Sequence, residues 1–293
     1  MQYLLENELA SIRFDTKGGQ IVSVKDSQGL EYLWQGDAAY WSGQAPVMFP
    51  ICGSIRENKA VIGNHMHCFM DRHGIVRKLD FSYVAQTKDS ITFSICSNEE
   101  LRAKYPYDFE LYITYQLKEK TITTSYRVIN KDEQPMPYFI GGHPGFNCPL
   151  FQEERFEDYV IEFEKSENAN CPESVPATGL INPNNRLSVL KDERILPLKH
   201  SYFDVDALIF DQLKSRSVEL INPKTGKGIR MDFEGFDYFI LWSSPNHGPF
   251  VALEPWTGFS TCDDESDIFE EKRGVNILAP DNDAVHTFDI TLL

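Results

Sequence analysis

The chain has 293 residues, with 44 acidic and 28 basic side chains and a formal net charge of −16. A surface that acidic repels phosphate backbones and anionic lipid, so nucleic acid and membrane are excluded as expected partners and a neutral small molecule suits it best. At this length one large β-sandwich or barrel is within reach, and it buries enough core to fold without disulfides or a metal.

From the N-terminus, Met1-Gln2-Tyr3-Leu4-Leu5-Glu6 has no basic stretch ahead of an apolar run, so no secretory signal is expected. No apolar run anywhere approaches the roughly 18 residues of a spanning helix. Ala10, Ile12 and Phe14 alternate with Ser11 and Arg13 and predict a strand, which Gly18-Gly19 turns toward a second at Ile21-Val22-Ser23-Val24. Two short strands are expected at 81–85 and 91–95, joined by Lys88-Asp89. Ser97-Asn98-Glu99-Glu100 has the spacing of a capping box, for a short helix that Pro106 ends. Phe109, Leu111, Ile113 and Tyr115 then share one face. After a turn at Lys118-Glu119-Lys120, so do Ile122, Thr124, Tyr126 and Val128.

Further strands are expected near 158–164, 217–221, 229–233, 238–242, 249–254 and 284–292, and a second short helix from Asp267 to Arg273 ahead of Gly274. The stretch 165–200, rich in Asn, Pro and Glu, reads as a long irregular connection. Strands never alternate with long helices, which argues against a parallel α/β sheet. The expectation is all-β: one large antiparallel β-sandwich over 1–293 with few short helices. The six cysteines (Cys52, Cys68, Cys96, Cys148, Cys171 and Cys262) form no C-x-x-C pair and read as reduced thiols of a cytoplasmic protein.

Three segments join a glycine or proline turn to a functional side chain. In Gly141-Gly142-His143-Pro144-Gly145-Phe146-Asn147 an apolar strand runs into two glycines and a Pro-Gly turn. That displays His143 at a strand end, where an imidazole suits proton transfer near neutrality; the ordinary alternative is a hydrogen-bonded turn histidine. In Leu253-Glu254-Pro255-Trp256-Thr257-Gly258 an apolar strand delivers Glu254. A partly desolvated carboxylate there has a raised pKa and accepts protons, and Trp256 is a candidate platform for a sugar face; otherwise Glu254 is a solvated strand-end residue and Trp256 is core. In Arg72-His73-Gly74-Ile75-Val76-Arg77, both His73 and Arg77 donate hydrogen bonds and suit hydroxyls or a developing oxyanion. Asp206, with Asp204 competing for the role, interrupts a strand-like run at 203–210 and suits accepting bonds from two hydroxyls.

Together these segments resemble the aldose 1-epimerase (galactose mutarotase-like) family, most of all its LacX-like branch. The resemblance rests on Gly-x-His-Pro-x-Phe, Glu-Pro-Trp and an upstream His-Gly-x-x-Arg in family order across nearly the whole chain. It implies a large antiparallel sandwich that binds a sugar in a cleft and interconverts the α and β anomers of an aldose, with no cofactor and no metal. By the match, Glu254 takes the proton from the C1 hydroxyl and His143 protonates the ring oxygen. His73 assists there, Asp206 holds hydroxyls and Arg77 binds. The family often places a basic residue after a glycine that follows Phe-Pro; here Gly53 is followed by Ser54 and the base is displaced to Arg56, a further candidate for sugar binding.

The rival readings are a hexose-6-phosphate mutarotase, with Arg72, Arg77, Lys78 and Arg56 as a phosphate clamp, and a non-catalytic sugar binder on the same scaffold. A glycosidase needs two flanking carboxylates, and one stands out here. His65-Met66-His67-Cys68 places alternate ligand-type residues on one strand face but lacks a convincing third ligand motif. The run Asp263-Asp264-Glu265 reads as a solvated loop. A monomer or homodimer acting on a small sugar is the expected assembly.

Overall fold

The computed structural model describes residues 1–64 and 66–293. His65 lies outside the described residues, and with it the His65–Cys68 motif as a ligand set. The strands form two main antiparallel sheets. The larger has nine, in the order Leu180–Pro197, Val160–Val175, Ser217–Ile221, Gly228–Asp232, Asp283–Leu292, Thr121–Asn130, Phe109–Lys118, Ser90–Cys96 and Ser82–Gln86. Its central strands alternate as the sequence predicts: Phe109, Leu111, Ile113 and Tyr115 are buried, as are Ile122, Tyr126 and Val128. The opposite face carries hydroxyl ladders between neighbouring strands, including Thr92–Thr114 at 2.9 Å, Thr121–Thr291 at 2.9 Å and Ser125–Thr287 at 3.0 Å.

The smaller sheet runs Leu208–Phe210, Tyr238–Trp242, Phe250–Trp256, Gly141–Gly142 and Val47–Met48, with Gly145–Asn147 also paired to Phe250–Trp256. Aromatic pairs join the two sheets. Phe163 meets Phe210 at 5.4 Å between ring centroids, Phe233 meets Phe239 at 4.5 Å and Phe49 meets Phe109 at 4.9 Å. A three-stranded sheet of Gln2–Glu6, Ala10–Asp15 and Gln20–Asp26 adds to the same apolar cluster through Ile12, Phe14 and Val24. The result is an antiparallel β-sandwich. Among the described residues, helix is confined to the turn Glu99–Arg102, capped by the Asn98 side chain, and to short 3-10 turns, one of them Phe269–Glu271.

One expectation fails. The stretch 165–200 is not irregular but a long hairpin, Val160–Val175 against Leu180–Pro197, at the edge of the larger sheet. Its pattern is hidden for a physical reason. Register shifts at Glu162/Glu167, Ala169/Asn170 and Pro172/Glu173 break the alternation, and beyond Phe163 the first arm has only the second as partner in the sheet, so proline and asparagine are tolerated. The hairpin is fixed at its base by Glu167, 1 % exposed, whose carboxylate accepts from the backbone N–H groups of Lys214 and Ser215 and from the Ser215 hydroxyl at 2.6–3.2 Å. All six cysteines are free thiols. No described helix is long and apolar enough to cross a membrane.

Candidate active site

The strand Phe250–Trp256 is buried on both faces. Inward, Val251 and Leu253 join the core. Outward, the face is covered by the 34–46 segment, where Trp34 and Trp41 stack on Phe250 at 4.8 and 5.4 Å. Glu254 lies on this outward face, at the floor of a cleft of about 350 Å³ lined also by Trp41, Arg72, His73, Arg77, His143, Asp206, Trp242 and Trp256. That volume suits a single sugar ring.

Strand register brings His143 to Glu254. Gly141 pairs with Trp256 and Gly145 with Ala252. The same register carried across the intervening residues sets His143 opposite Glu254. His143 Nε2 stands 3.2 Å from Glu254 Oε2, although the approach is not aligned as a hydrogen bond and Glu254 Oε2 makes none. The motif glycines serve this packing. A Cβ on Gly141 would meet the Trp256 ring at 2.7 Å, and one on Gly145 the Trp41 ring at 2.8 Å, so the space they leave is filled by tryptophan rather than kept for a ligand.

Burial acts on both members of the pair. Glu254 is 1 % exposed, and loss of water pushes its carboxyl well above the usual carboxylate range; Arg72 opposes this and Asp206 adds to it. Burial pulls the His143 imidazole down to about 3; its own backbone opposes this, and the charges of Arg72 and Arg77 add to it. Burial thus favours the uncharged form of each, a carboxylic acid beside a neutral imidazole.

His73 is fixed differently. Its φ of 70° is in the left-handed region, rare for a side-chain-bearing residue. Two reciprocal bonds hold it there: its backbone N–H donates to Gly53 O at 2.8 Å, and Gly53 N–H donates to His73 Nδ1 at 3.1 Å. An Nδ1 that accepts leaves Nε2 as the protonated nitrogen, so His73 is a donor in its neutral form. Burial first, then the neighbouring His143, Arg72 and Arg77, keeps it neutral.

Asp206 lines the cleft and accepts from Arg72 Nη2 at 3.2 Å, whereas Asp204 is exposed and outside it. Arg77 is half-buried in the cleft and no described carboxylate pairs with it; burial lowers its pKa, helped by Arg72. Trp256 lines the cleft but is only 4 % exposed, and its Nε1–H donates to Gly142 O. The aromatic rings more open to a sugar are Trp41 and Trp242.

Arg56 corrects an expectation. It is turned away from the cleft, donating to Asp267 Oδ1 at 2.9 Å and to the carbonyls of Glu265 and Cys262 at 2.9 and 3.3 Å. The chain leaves the site just after Gly53, because Ser54 is tied by its backbone to Ser260 Oγ and Thr261 N. Lys78 likewise lies in a neighbouring groove, which Arg77 also lines. Trp41, Trp242 and the Arg72–Asp206 pair were not read from the sequence as parts of one site. The available signal was Tyr40-Trp41, an aromatic pair inside a polar glycine-containing loop. Among the described residues, no group of three or more His, Cys, Asp or Glu is gathered to hold a metal.

The aldose 1-epimerase family model matches residues 1–270. The chain belongs to the aldose 1-epimerase family. Within it, the plasmid and chromosomal LacX proteins of Lactococcus lactis subsp. lactis are each 46% identical over 294 aligned residues, covering 99% of this chain and 98% of theirs. A galactose mutarotase related enzyme from Lactobacillus acidophilus superposes with a TM-score of 0.94 at 30% identity, over 100% of this chain and 97% of that one. A galactose mutarotase-like protein from Lactobacillus casei superposes at 0.91 with 25% identity, over the full length of both. For an aldose 1-epimerase family member, the cleft on the outward face of the smaller sheet is the natural place to look for chemistry.

Proposed function

We propose that this protein is an isomerase that interconverts the α and β anomers of a hexose, with Glu254 and His143 as its base and acid. The observation that carries the reading is the buried 3.2 Å contact between the two at the floor of a sugar-sized cleft. Anomer exchange moves one proton off the C1 hydroxyl and one onto the ring oxygen. With its single proton on the imidazole, the pair is a carboxylate base beside an imidazolium acid. Glu254 takes the C1 proton, the C1–ring-oxygen bond breaks as the C1 carbonyl forms, and His143 protonates the released oxygen. The pair is then a carboxylic acid beside a neutral imidazole, the form that burial favours. Rotation about C1–C2 and closure with the roles reversed deliver the other anomer. The two protonation arrangements are thus the two ends of one reaction, and each group contributes on the order of 10²–10⁴-fold.

His73, held as an Nε2 donor, suits the ring oxygen or O1 as negative charge develops. Asp206 accepts from sugar hydroxyls while Arg72 holds it in place, and Trp256 closes the apolar wall. Saturation-transfer NMR or polarimetry on glucose, galactose and their 6-phosphates tests the reading. Exchange above the uncatalysed rate, lost in Glu254→Gln and His143→Asn, supports it. Wild-type exchange at the uncatalysed rate would mean a sugar-binding protein instead.

Arg77 favours one second reading. A half-buried guanidinium without a described carboxylate partner suits an anionic substituent, such as the phosphate of a hexose 6-phosphate. Exchange confined to the phosphates, and lost with Arg77→Ala, would establish that reading over the neutral hexose.

A further inference from the structure

Imidazoles that move protons are usually oriented by a hydrogen bond from the second ring nitrogen to a carbonyl or carboxylate. No other residue supplies one to His143, whose Nδ1 is buried without a partner. Its backbone is anchored, with N–H donating to Pro46 O at 3.1 Å, but the final torsion of a histidine side chain is intrinsically broad. Aromatic rings surround it. Trp41 lies nearly flat on the imidazole, with centroids 4.9 Å apart and planes 29° from parallel. Trp242 meets it edge-on at 5.5 Å and 77°, and His73 at 5.4 Å and 89°.

Trp41 is itself firmly placed, although the turn that carries it is exposed. Its N–H donates to Asp37 O at 2.9 Å, and its carbonyl accepts from Trp34 Nε1 at 2.7 Å. Asp37 Oδ1 accepts from Ala39 N–H at 2.9 Å, and Ala39 O accepts from Asn246 Nδ2 at 2.8 Å, tying the turn to the far lip of the cleft. On one side the indole packs where Gly43 and Gly145 have no side chain, and Phe250 continues the stack at 5.4 Å.

We propose that Trp41 is the positioning residue for His143, its indole fixing the imidazole plane in which Nε2 faces Glu254 and shielding the ring from water. The proposal rests on the anomer-exchange reading for its kinetic consequence, but not for its structural one. The ionisable groups that face His143 are Glu254 from the opposite strand, His73, Arg72 and Arg77 from the 72–77 turn, and Asp206 across the cleft. Trp41 and Trp242 carry no charge, so replacing Trp41 changes the imidazole's orientation and hydration without changing the charges around it.

The test is Trp41→Ala beside Trp41→Phe in the full chain, read by anomer-exchange kinetics and by imidazole ¹⁵N NMR, with His143→Asn assigning the resonance. Trp41→Ala is expected to lower kcat by about 10–100-fold with KM changed less than about threefold, the loss typical of a reacting group freed to misorient. Its His143 signal should show mixed tautomers and a titration midpoint raised toward the ordinary histidine value as water enters. Trp41→Phe, which keeps a flat ring, should restore kcat to within about fivefold. A Trp41→Ala protein with wild-type kcat and an unchanged His143 spectrum overturns the proposal. So does a rise in KM alone, which would make Trp41 a sugar platform, or a Trp41→Phe protein as slow as Trp41→Ala. If wild type exchanges no anomers, the anomer-exchange reading fails, and the spectrum alone decides whether Trp41 holds the ring.

Discussion

Two glutamates in this molecule are equally buried, each 1 % exposed, and are treated in opposite ways. Glu167, at the base of the long hairpin, accepts from two backbone N–H groups and a hydroxyl. Glu254, in the cleft, has one carboxylate oxygen with no hydrogen-bond donor and an imidazole at 3.2 Å. A buried carboxylate without donors is costly, because an unmade hydrogen bond forfeits hydration with nothing in exchange. Glu167 is what a carboxylate looks like when the fold uses it for stability. Glu254 is what one looks like when its proton must remain movable.

The sharpest way to break the comparison is kinetic. Glu254→Gln and His143→Asn should each lower anomer exchange by roughly 10²–10⁴-fold, and the double variant should be little worse than either, because the two groups act as one unit. Near-additive losses in saturation-transfer measurements would separate them. Glu167→Ala should leave kcat unchanged and lower stability by on the order of 3 kcal/mol, since it strands two buried N–H groups and a hydroxyl. Denaturant unfolding measures that figure, and a loss below about 0.5 kcal/mol would remove Glu167 from the comparison.

The pH dependence of stability probes Glu254 without any substrate. The folded-state pKa of Glu254 is raised, so its contribution is fully present below the unfolded carboxylate value and is lost as pH rises through the folded one. Glu254→Gln cannot ionise. Its melting temperature should therefore exceed that of wild type by a margin that widens from acidic to alkaline pH, about 2–4 °C for each kcal/mol relieved in a chain of this size. A margin independent of pH would deny the carboxyl its raised pKa. In kinetics, kcat/KM should hold across mildly acidic pH and fall on the alkaline side as the pair loses its one proton. The smallest effect belongs to Arg56→Ala. Its guanidinium faces away from the cleft, so exchange should stay within about twofold of wild type, and a larger drop in kcat would reopen its place in the site.

Much of the fold could be read from residue patterns because its central strands are buried on one face only. Phe109 to Tyr115 and Ile122 to Val128 show the alternation that such strands must show. The hairpin at 160–197 escaped because bulges shift its register and its outer half has no further strand beside it in the sheet. In the site, His143, Glu254, His73 and Arg77 were found because polar side chains at glycine and proline turns are conspicuous in sequence, and Asp206 because it interrupts a strand-like run; all five line the cleft. Arg56 was misplaced because proximity to Gly53 in sequence says nothing about the turn Ser54 makes. Trp41 and Trp242 went unread because a tryptophan in a loop or at a strand end looks the same whether it fills core or stands beside an imidazole.

The shared register of 141–147 and 250–256 has a consequence for how such a protein can change over evolutionary time. His143 and Glu254 meet because two short segments pair side by side, whatever the chain does between them. Insertions or deletions in turns of the larger sheet, such as 222–227 between Ser217–Ile221 and Gly228–Asp232, can lengthen or shorten that part of the molecule and leave the pair in place. One residue added between Gly141 and Gly145 is different in kind: it slips the pairing and turns one partner toward the core. Length variation among relatives should therefore be nearly forbidden within these two segments.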